Sequence, residues 1–290
     1  MYTKDSLNNL YRMIASNIDI SDKMFELAEE EYKKLGKWID KETPEYQISI
    51  YPQGSFALGT VVRPISNEDD YDLDLVCQFE EKYGLTAKEM KVDVVKPLLV
   101  KYKVSQNEIE EKRRCWHIEY KDIPYFHMDV IPAYAQKPSI KITDHDEELN
   151  TYKYIGSNPS GYVTWFFERC AKQRMRLYEQ YVKEHREVVA QAEIEDVKRR
   201  KIKTPLQRVV QLLKRHRDIM FKDDQSGNKP ISIIITTIAA SLYNEEDNIY
   251  DAMKNILLNA NKWIEDNKRE GQYFIENPSY SGENFADKWN

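Results

Sequence analysis

DLDLVCQF, residues 72–79, is the stretch on which the reading of the fold turns. Carboxylates and leucines alternate from Asp72 to Leu75, and Val76 and Cys77 then make the run apolar. Successive side chains of a strand point to opposite faces, so Asp72 and Asp74 share one face while Leu73 and Leu75 share the other. The leucines can enter a core. Two carboxylates side by side need something to offset a repulsion of ~4 kcal/mol for unit charges ~4 Å apart at an effective dielectric of 20. A divalent cation does this, and oxygen-only ligands suit magnesium or manganese better than zinc.

Upstream, YQISIY (residues 46–51) alternates as another strand, Pro52-Gln53-Gly54-Ser55 is a turn, and residues 56–62 begin a short element. Gly54 lets backbone approach a phosphate closely, and Ser55 offers a hydroxyl and an N–H at a helix start, where anions bind well. Residues 63–70 read as a loop whose last member, Asp70, is near enough to assist Asp72. Downstream, residues 87–103 have helical texture interrupted by Pro97, and residues 115–120 and 125–131 read as a hairpin. On its second strand Phe126, Met128 and Val130 take one face, and His127, Asp129 and Ile131 the other. Asp129 is the third carboxylate. If its strand lies beside residues 72–79, three acids converge, as two-metal phosphoryl transfer requires. His127 is expected to support or pack. Asp144-His145-Asp146 reads as a polar loop.

Residues 5–39 are helical in pattern, with Ser21-Asp22 placed to cap a second helix. Helices take over again near residue 160: a start at residues 158–161, a long polar helix over 162–201, a helix opened by Thr204-Pro205, and another over 231–243. The expectation is an α+β chain. A mixed-sheet core occupies residues 1–158, its N-terminal helix bridging both lobes, and an all-helical, substrate-binding domain occupies residues 159–290.

Composition narrows the functional classes. The 290 residues are 41% hydrophobic and 12% aromatic, enough for packed cores and too much for a disordered chain. A net charge of −6 speaks against constitutive binding to long DNA. The basic run KRRKIK (198–203) is a solvated helical face or an electropositive rim. Cys77, Cys115 and Cys170 have neither zinc-ligand nor disulfide-framework spacing. No apolar run approaches the ~20 residues needed to span a bilayer, so a cytoplasmic protein with no membrane partner is expected.

Gly54-Ser55, then Asp72-x-Asp74, then the distal Asp129 resembles the pattern of the DNA-polymerase-β-like nucleotidyltransferase superfamily. The segment YPQGSFALGTVVRP, the following DDYDLDLVCQF, and the later TPLQRVVQLLKRHRD, KPISIIITTIAASLY and ENPSYSGENFADKW are similar to the CD-NTases, bacterial relatives of cyclic GMP–AMP synthase. The resemblance spans roughly residues 45–290. It implies a polymerase-β-like core and a helical domain, with ATP and other nucleoside triphosphates as substrates. It also implies a cyclic di- or trinucleotide product of antiphage signalling, read by a separate effector, and a regulatory protein partner. By the same resemblance Asp72, Asp74 and Asp129 bind Mg²⁺ or Mn²⁺, and Asp129 helps activate the attacking hydroxyl. Gln53, Gly54 and Ser55 hold triphosphate, joined by Lys214 and by Ser232. Transfer of nucleotides to an RNA or protein acceptor, and a catalytically inactive nucleotide-binding protein, are the alternatives.

Overall fold

The computed structural model describes residues 3–65, 71–103, 108–123, 125–184, 202–224 and 227–289. The chain is α+β and divides into two compact units: residues 20–57 with 63–161, and residues 1–19 with 58–62 and 162–290. The first carries the sheet, the second is built of helices. The N-terminal helical stretch is two helices, α1 (Lys4–Asn17) in the helical unit and α2 (Asp22–Glu42) in the sheet unit. The break falls at Ser21, whose hydroxyl accepts from the Met24 N–H at 3.2 Å and so caps α2.

In the sheet unit, β1 (Ile48–Pro52) leads through a tight turn into α3 (Gly54–Leu58), and β2 (Tyr71–Phe79) follows. Then come α4 (Lys96–Lys103), β3 (Ile109–Glu111), β4 (Trp116–Glu119), β5 (Phe126–Gln136), β6 (Ser139–Asp146) and β7 (Thr151–Ser157). The strand order is β1-β2-β5-β4-β3, with β6 added to β5 and β7 to β6. β2 and β5 run parallel, and β5 is central: it pairs β2 over residues 126–134, β4 over 127–130 and β6 over 133–136. Burial of β2 follows its alternation, with Leu73 and Leu75 0% exposed beneath half-exposed Asp72 and Asp74. Tyr71 anchors its start by donating to the Met24 carbonyl of α2 at 3.1 Å.

Two expectations are corrected here. Asp144-His145-Asp146 is the end of strand β6, not a loop. Asp144 is buried because Arg113 and Arg114 ion-pair with it at 2.8 and 3.3 Å, and together they hold its carboxyl below the usual range despite burial. Pro97 does not interrupt its helix. Glu89–Val95 is π-helical, Lys96 N–H bonds the Lys91 carbonyl five residues back, and the widened turn carries the chain past a residue with no N–H to give. Fully buried Lys91 sits in that stretch. Its ammonium donates to the Lys112 and Arg113 carbonyls at 2.5 and 2.9 Å and pairs with Glu111 at 3.3 Å, pinning the β3–β4 turn.

The helical unit contains α1, α5 (Pro159–Glu168), α6 (Ala171–Glu184), α7 (Pro205–Met220), α8 (Ser232–Leu242) and α9 (Ile249–Asp266). The long helix expected over 162–201 is broken at Arg169-Cys170, where the Arg169 guanidinium turns to the carbonyls of Ala240 and Tyr243. Residues 185–201, with most of the basic run, lie outside the described residues, as does Asp70. α7 opens on a capping box, Thr204 and Gln207 each accepting from the other's backbone N–H. Its apolar stripe, Leu206, Val209, Val210 and Leu212, enters a core with Ala15, Phe166, Ala239, Tyr243 and Ile256. Its polar stripe grips residues 58–61. Gln207, Lys214 and Gln211 donate to the carbonyls of Leu58, Thr60 and Val61 at 2.8, 3.2 and 2.7 Å. No helix among the described residues is long and apolar enough to cross a membrane.

Asp19 fastens α1 to α7: its carboxylate accepts from Lys203 and Arg208, both at 2.5 Å, and from Gln211 at 2.7 Å. Burial raises its pKa, but the two cations outweigh that and hold it below the ordinary value. Asp19→Ala leaves two largely buried cations without their anion and is expected to cost about 3 kcal/mol in urea unfolding. Because the folded pKa is depressed, the contribution is present above pH ~4 and lost as pH falls through the folded value. The stability gap between wild type and Asp19→Asn should therefore close in acid.

Candidate active site

The β2–β5 register places the predicted acids. Asp74 stands opposite Asp129, and Asp72 opposite His127. On the other flank of β5, His117 of β4 is opposite Asp129. One sheet face thus presents Asp72, Asp74, His127, Asp129 and His117, all half-exposed, above a fully buried layer of Leu73, Leu75, Met128 and Ile118. The strands fold this way because each alternates, and because β5, apolar on its other face, is hydrogen-bonded to β2 along one edge and β4 along the other.

The turn before α3 is fastened to the same spot. Gln53 N–H donates to the Asp74 carbonyl at 2.8 Å, and Pro52 pairs with Leu75. Gly54 has φ +60°, and a Cβ there would overlap Asp74 Oδ2 and lie 3.1 Å from its Cγ. Both the left-handed backbone and the close approach call for glycine. Ser55 follows in the first turn of α3, its Oγ buried with no hydrogen-bond partner among the described residues. An orphaned buried hydroxyl is a cost unless a ligand satisfies it.

Asp129 is not drawn toward the β2 acids. Its Oδ1 lies 2.9 Å from His117 Nδ1, and that hydrogen bond raises the His117 pKa. Among the described residues, the donor atoms that gather within 4.8 Å of one another are those of His117, His127 and Asp129 rather than those of the three acids. Like charges keep apart and the imidazole attracts, which accounts for the tilt. Cys115 lies under this corner. Burial pushes its thiol pKa up, and the nearby Asp129 and Asp74 charges push it further, so it is an inert thiol.

Lys214 and Ser232 belong to the helical unit. Lys214 is 5% exposed, its ammonium on the Thr60 carbonyl. Ser232 opens α8 and accepts from Arg217 Nη1 at 2.9 Å, which leaves its hydroxyl proton to donate. His117, Lys91 and the glutamines of α7 are what sequence reasoning missed. The alternation of CWHIEY already carried His117: its odd positions share a face, and hairpin register sets that face beside Asp129.

The donor set fits a hard divalent cation. Two carboxylates share the outward face of one strand, a third is the register partner of the second, and the glycine turn leaves their edge uncovered by a side chain.

Residues 5–169 match the model of the Second Messenger Oligonucleotide or Dinucleotide Synthetase domain. The chain is similar to a c-di-GMP synthase of Roseivirga ehrenbergii, 32% identical over 272 residues that cover 89% of this chain and 66% of that protein. It is also similar to the cyclic dinucleotide synthase CdnG of Bradyrhizobium diazoefficiens, at 24% identity over 98% of this chain and 70% of that one. The solved structure of the latter with GTP superposes with a TM-score of 0.75 at 23% identity, covering 98% of this chain and 85% of that chain, which speaks for the fold. With more than half its length matched, and with the paired-acid strand inside the match, this chain belongs to the Second Messenger Oligonucleotide or Dinucleotide Synthetase family.

Proposed function

We propose that this protein joins nucleoside triphosphates, ATP among them, into a cyclic di- or trinucleotide second messenger of antiphage defence. The observation that carries the reading is Asp74 facing Asp129 across parallel strands, with Gly54 packed against Asp74 and the orphaned Ser55 hydroxyl next in the chain. Asp72, Asp74 and Asp129 would hold Mg²⁺ or Mn²⁺. When bound, these ions supply Lewis-acid activation of an attacking hydroxyl and neutralise charge on the leaving pyrophosphate.

The protein's own groups do the rest. Gly54 gives a triphosphate room at the Asp74 edge, Ser55 donates its hydroxyl, and the Gln53 backbone holds the turn in register with β2. Asp129, steadied by His117, orients the nucleophile's proton away from the forming bond. In this reading the sheet unit is the catalytic core, and Lys214 and Ser232 keep the triphosphate-binding roles that the resemblance implies. An effector protein reads the product, and a regulatory protein partner sets when it is made.

Incubation with all four ribonucleoside triphosphates and Mg²⁺, followed by phosphatase and mass spectrometry, tests the reading. Phosphatase-resistant products with cyclic-oligonucleotide masses are expected. Label transferred to added RNA or protein would replace the reading with transfer to an acceptor, and pyrophosphate never released would end it.

Lys214→Met separates charge from packing. Losing a charged phosphate contact should weaken binding of a non-hydrolysable ATP analogue about tenfold, ~1.4 kcal/mol. The lost bond to the Thr60 carbonyl should lower Tm only modestly. Calorimetric titration showing unchanged affinity would remove Lys214 from the phosphate site.

A further inference from the structure

Two imidazoles stand where an oxygen-only metal site does not need them. His117 and His127 flank Asp129 on β4 and β5, and one donor atom from each of the three lies within 4.8 Å of the other two. The imidazole rings are 4.4 Å apart at 45°, tilted rather than stacked. His117 and Asp129 keep 24% and 23% of their side-chain surface exposed, and His127 is partly buried. The 2.9 Å separation of Asp129 Oδ1 and His117 Nδ1 is also suggestive. Neighbouring ligands of an octahedral ion with bonds of about 2.1 Å lie about 3.0 Å apart, so the two atoms of this hydrogen bond need move little once an ion displaces the proton between them.

We propose that His117, His127 and Asp129 form a mixed nitrogen–oxygen site for a borderline divalent cation, manganese or a later first-row ion, with Asp129 shared between it and the carboxylate site. It rests on the proposed function only in that sharing. Imidazole suits later first-row ions, whereas magnesium prefers all-oxygen shells and keeps its waters. The site therefore discriminates between the two classes of ion on one face of one sheet.

The test uses the full chain without nucleotide and Mn²⁺ alone. Pulsed electron paramagnetic resonance should detect ¹⁴N hyperfine coupling to bound Mn²⁺ in the wild type and equally in Asp74→Asn, whose carboxylate is outside the cluster. His117→Gln and His127→Gln should each lose coupling and weaken Mn²⁺ binding roughly tenfold or more, their folding checked by circular dichroism. No nitrogen coupling in the wild type overturns the site. So does coupling that survives both histidine changes, or that disappears in Asp74→Asn. Because no turnover is measured, an inactive protein that shows the coupling would end the proposed function and leave this site standing. A productive enzyme without the coupling would do the reverse.

Discussion

Asp74→Asn is expected to lower nucleotidyl transfer by on the order of 10³-fold while leaving the fold intact. The substitution keeps the shape of the side chain and the whole β1–β2–β5 ladder, because the ladder runs through backbone atoms, including the Asp74 carbonyl that accepts from Gln53. What it removes is one negative charge opposite Asp129. In the metal-free protein that charge is repulsive, so Tm should hold or rise slightly. Loss of activity with gain of stability marks a residue kept for chemistry rather than folding. Pyrophosphate release with Mg²⁺, and thermal melting of the same preparation freed of divalent ions, give both halves. Turnover retained within tenfold would reject the metal-binding assignment of Asp74. A collapse of Tm together with activity would show instead that the residue holds the sheet.

How much of this was legible beforehand depends on the range over which each feature is determined. Alternation is local, and it was read correctly in β2 and in the β4–β5 hairpin, where the buried positions follow the apolar letters almost residue by residue. Caps are local too: Ser21 and Thr204 stop and start helices where their side chains find N–H groups within a turn. Asp144 failed the same test because its justification is distant. A carboxylate in a strand reads as a loop residue until Arg113 and Arg114 are known to stand over it. β6 and β7 escaped notice for a related reason. KITDHD has few apolar letters, and β7 closes the edge of the sheet with most positions at least partly exposed. The π-helical stretch of residues 89–95 is a slip in backbone register, and nothing in side-chain periodicity distinguishes it from an ordinary helix passing a proline. Lys214 shows the limit of carrying a role over by resemblance. The letter matched a phosphate-binding lysine, but only the structure reveals that the same ammonium also holds the Thr60 carbonyl. Its replacement therefore probes two things at once, which is why methionine is a better choice than alanine.

Gly54→Ala is expected to cost about 10²-fold in turnover, although no charged or hydroxyl group is touched. Two separate penalties meet at this position. An L-residue at φ +60° is strained by about 1 kcal/mol, a cost to the fold that alone would shift Tm by only a few degrees. The second falls on the site. The new methyl overlaps Asp74 Oδ2, and the atom it meets is the end of a side chain rather than backbone, so the carboxylate swings away and the fold survives. Displacing a ligand by about 1 Å is enough for a loss of that size, because transfer needs nucleophile, phosphate and ions aligned together. Initial rates should therefore fall far more than Tm, and raising Mg²⁺ should restore part of the rate, since a misplaced carboxylate weakens ion binding without abolishing it. Asp74→Asn, which lacks the charge altogether, should not respond to Mg²⁺ in this way. If Gly54→Ala turned over at the wild-type rate, the contact between the glycine turn and Asp74 would be incidental. Asp74 would then have to be held in place by β2 alone, and the link between the phosphate-gripping turn and the paired acids would be lost as the basis of the active site.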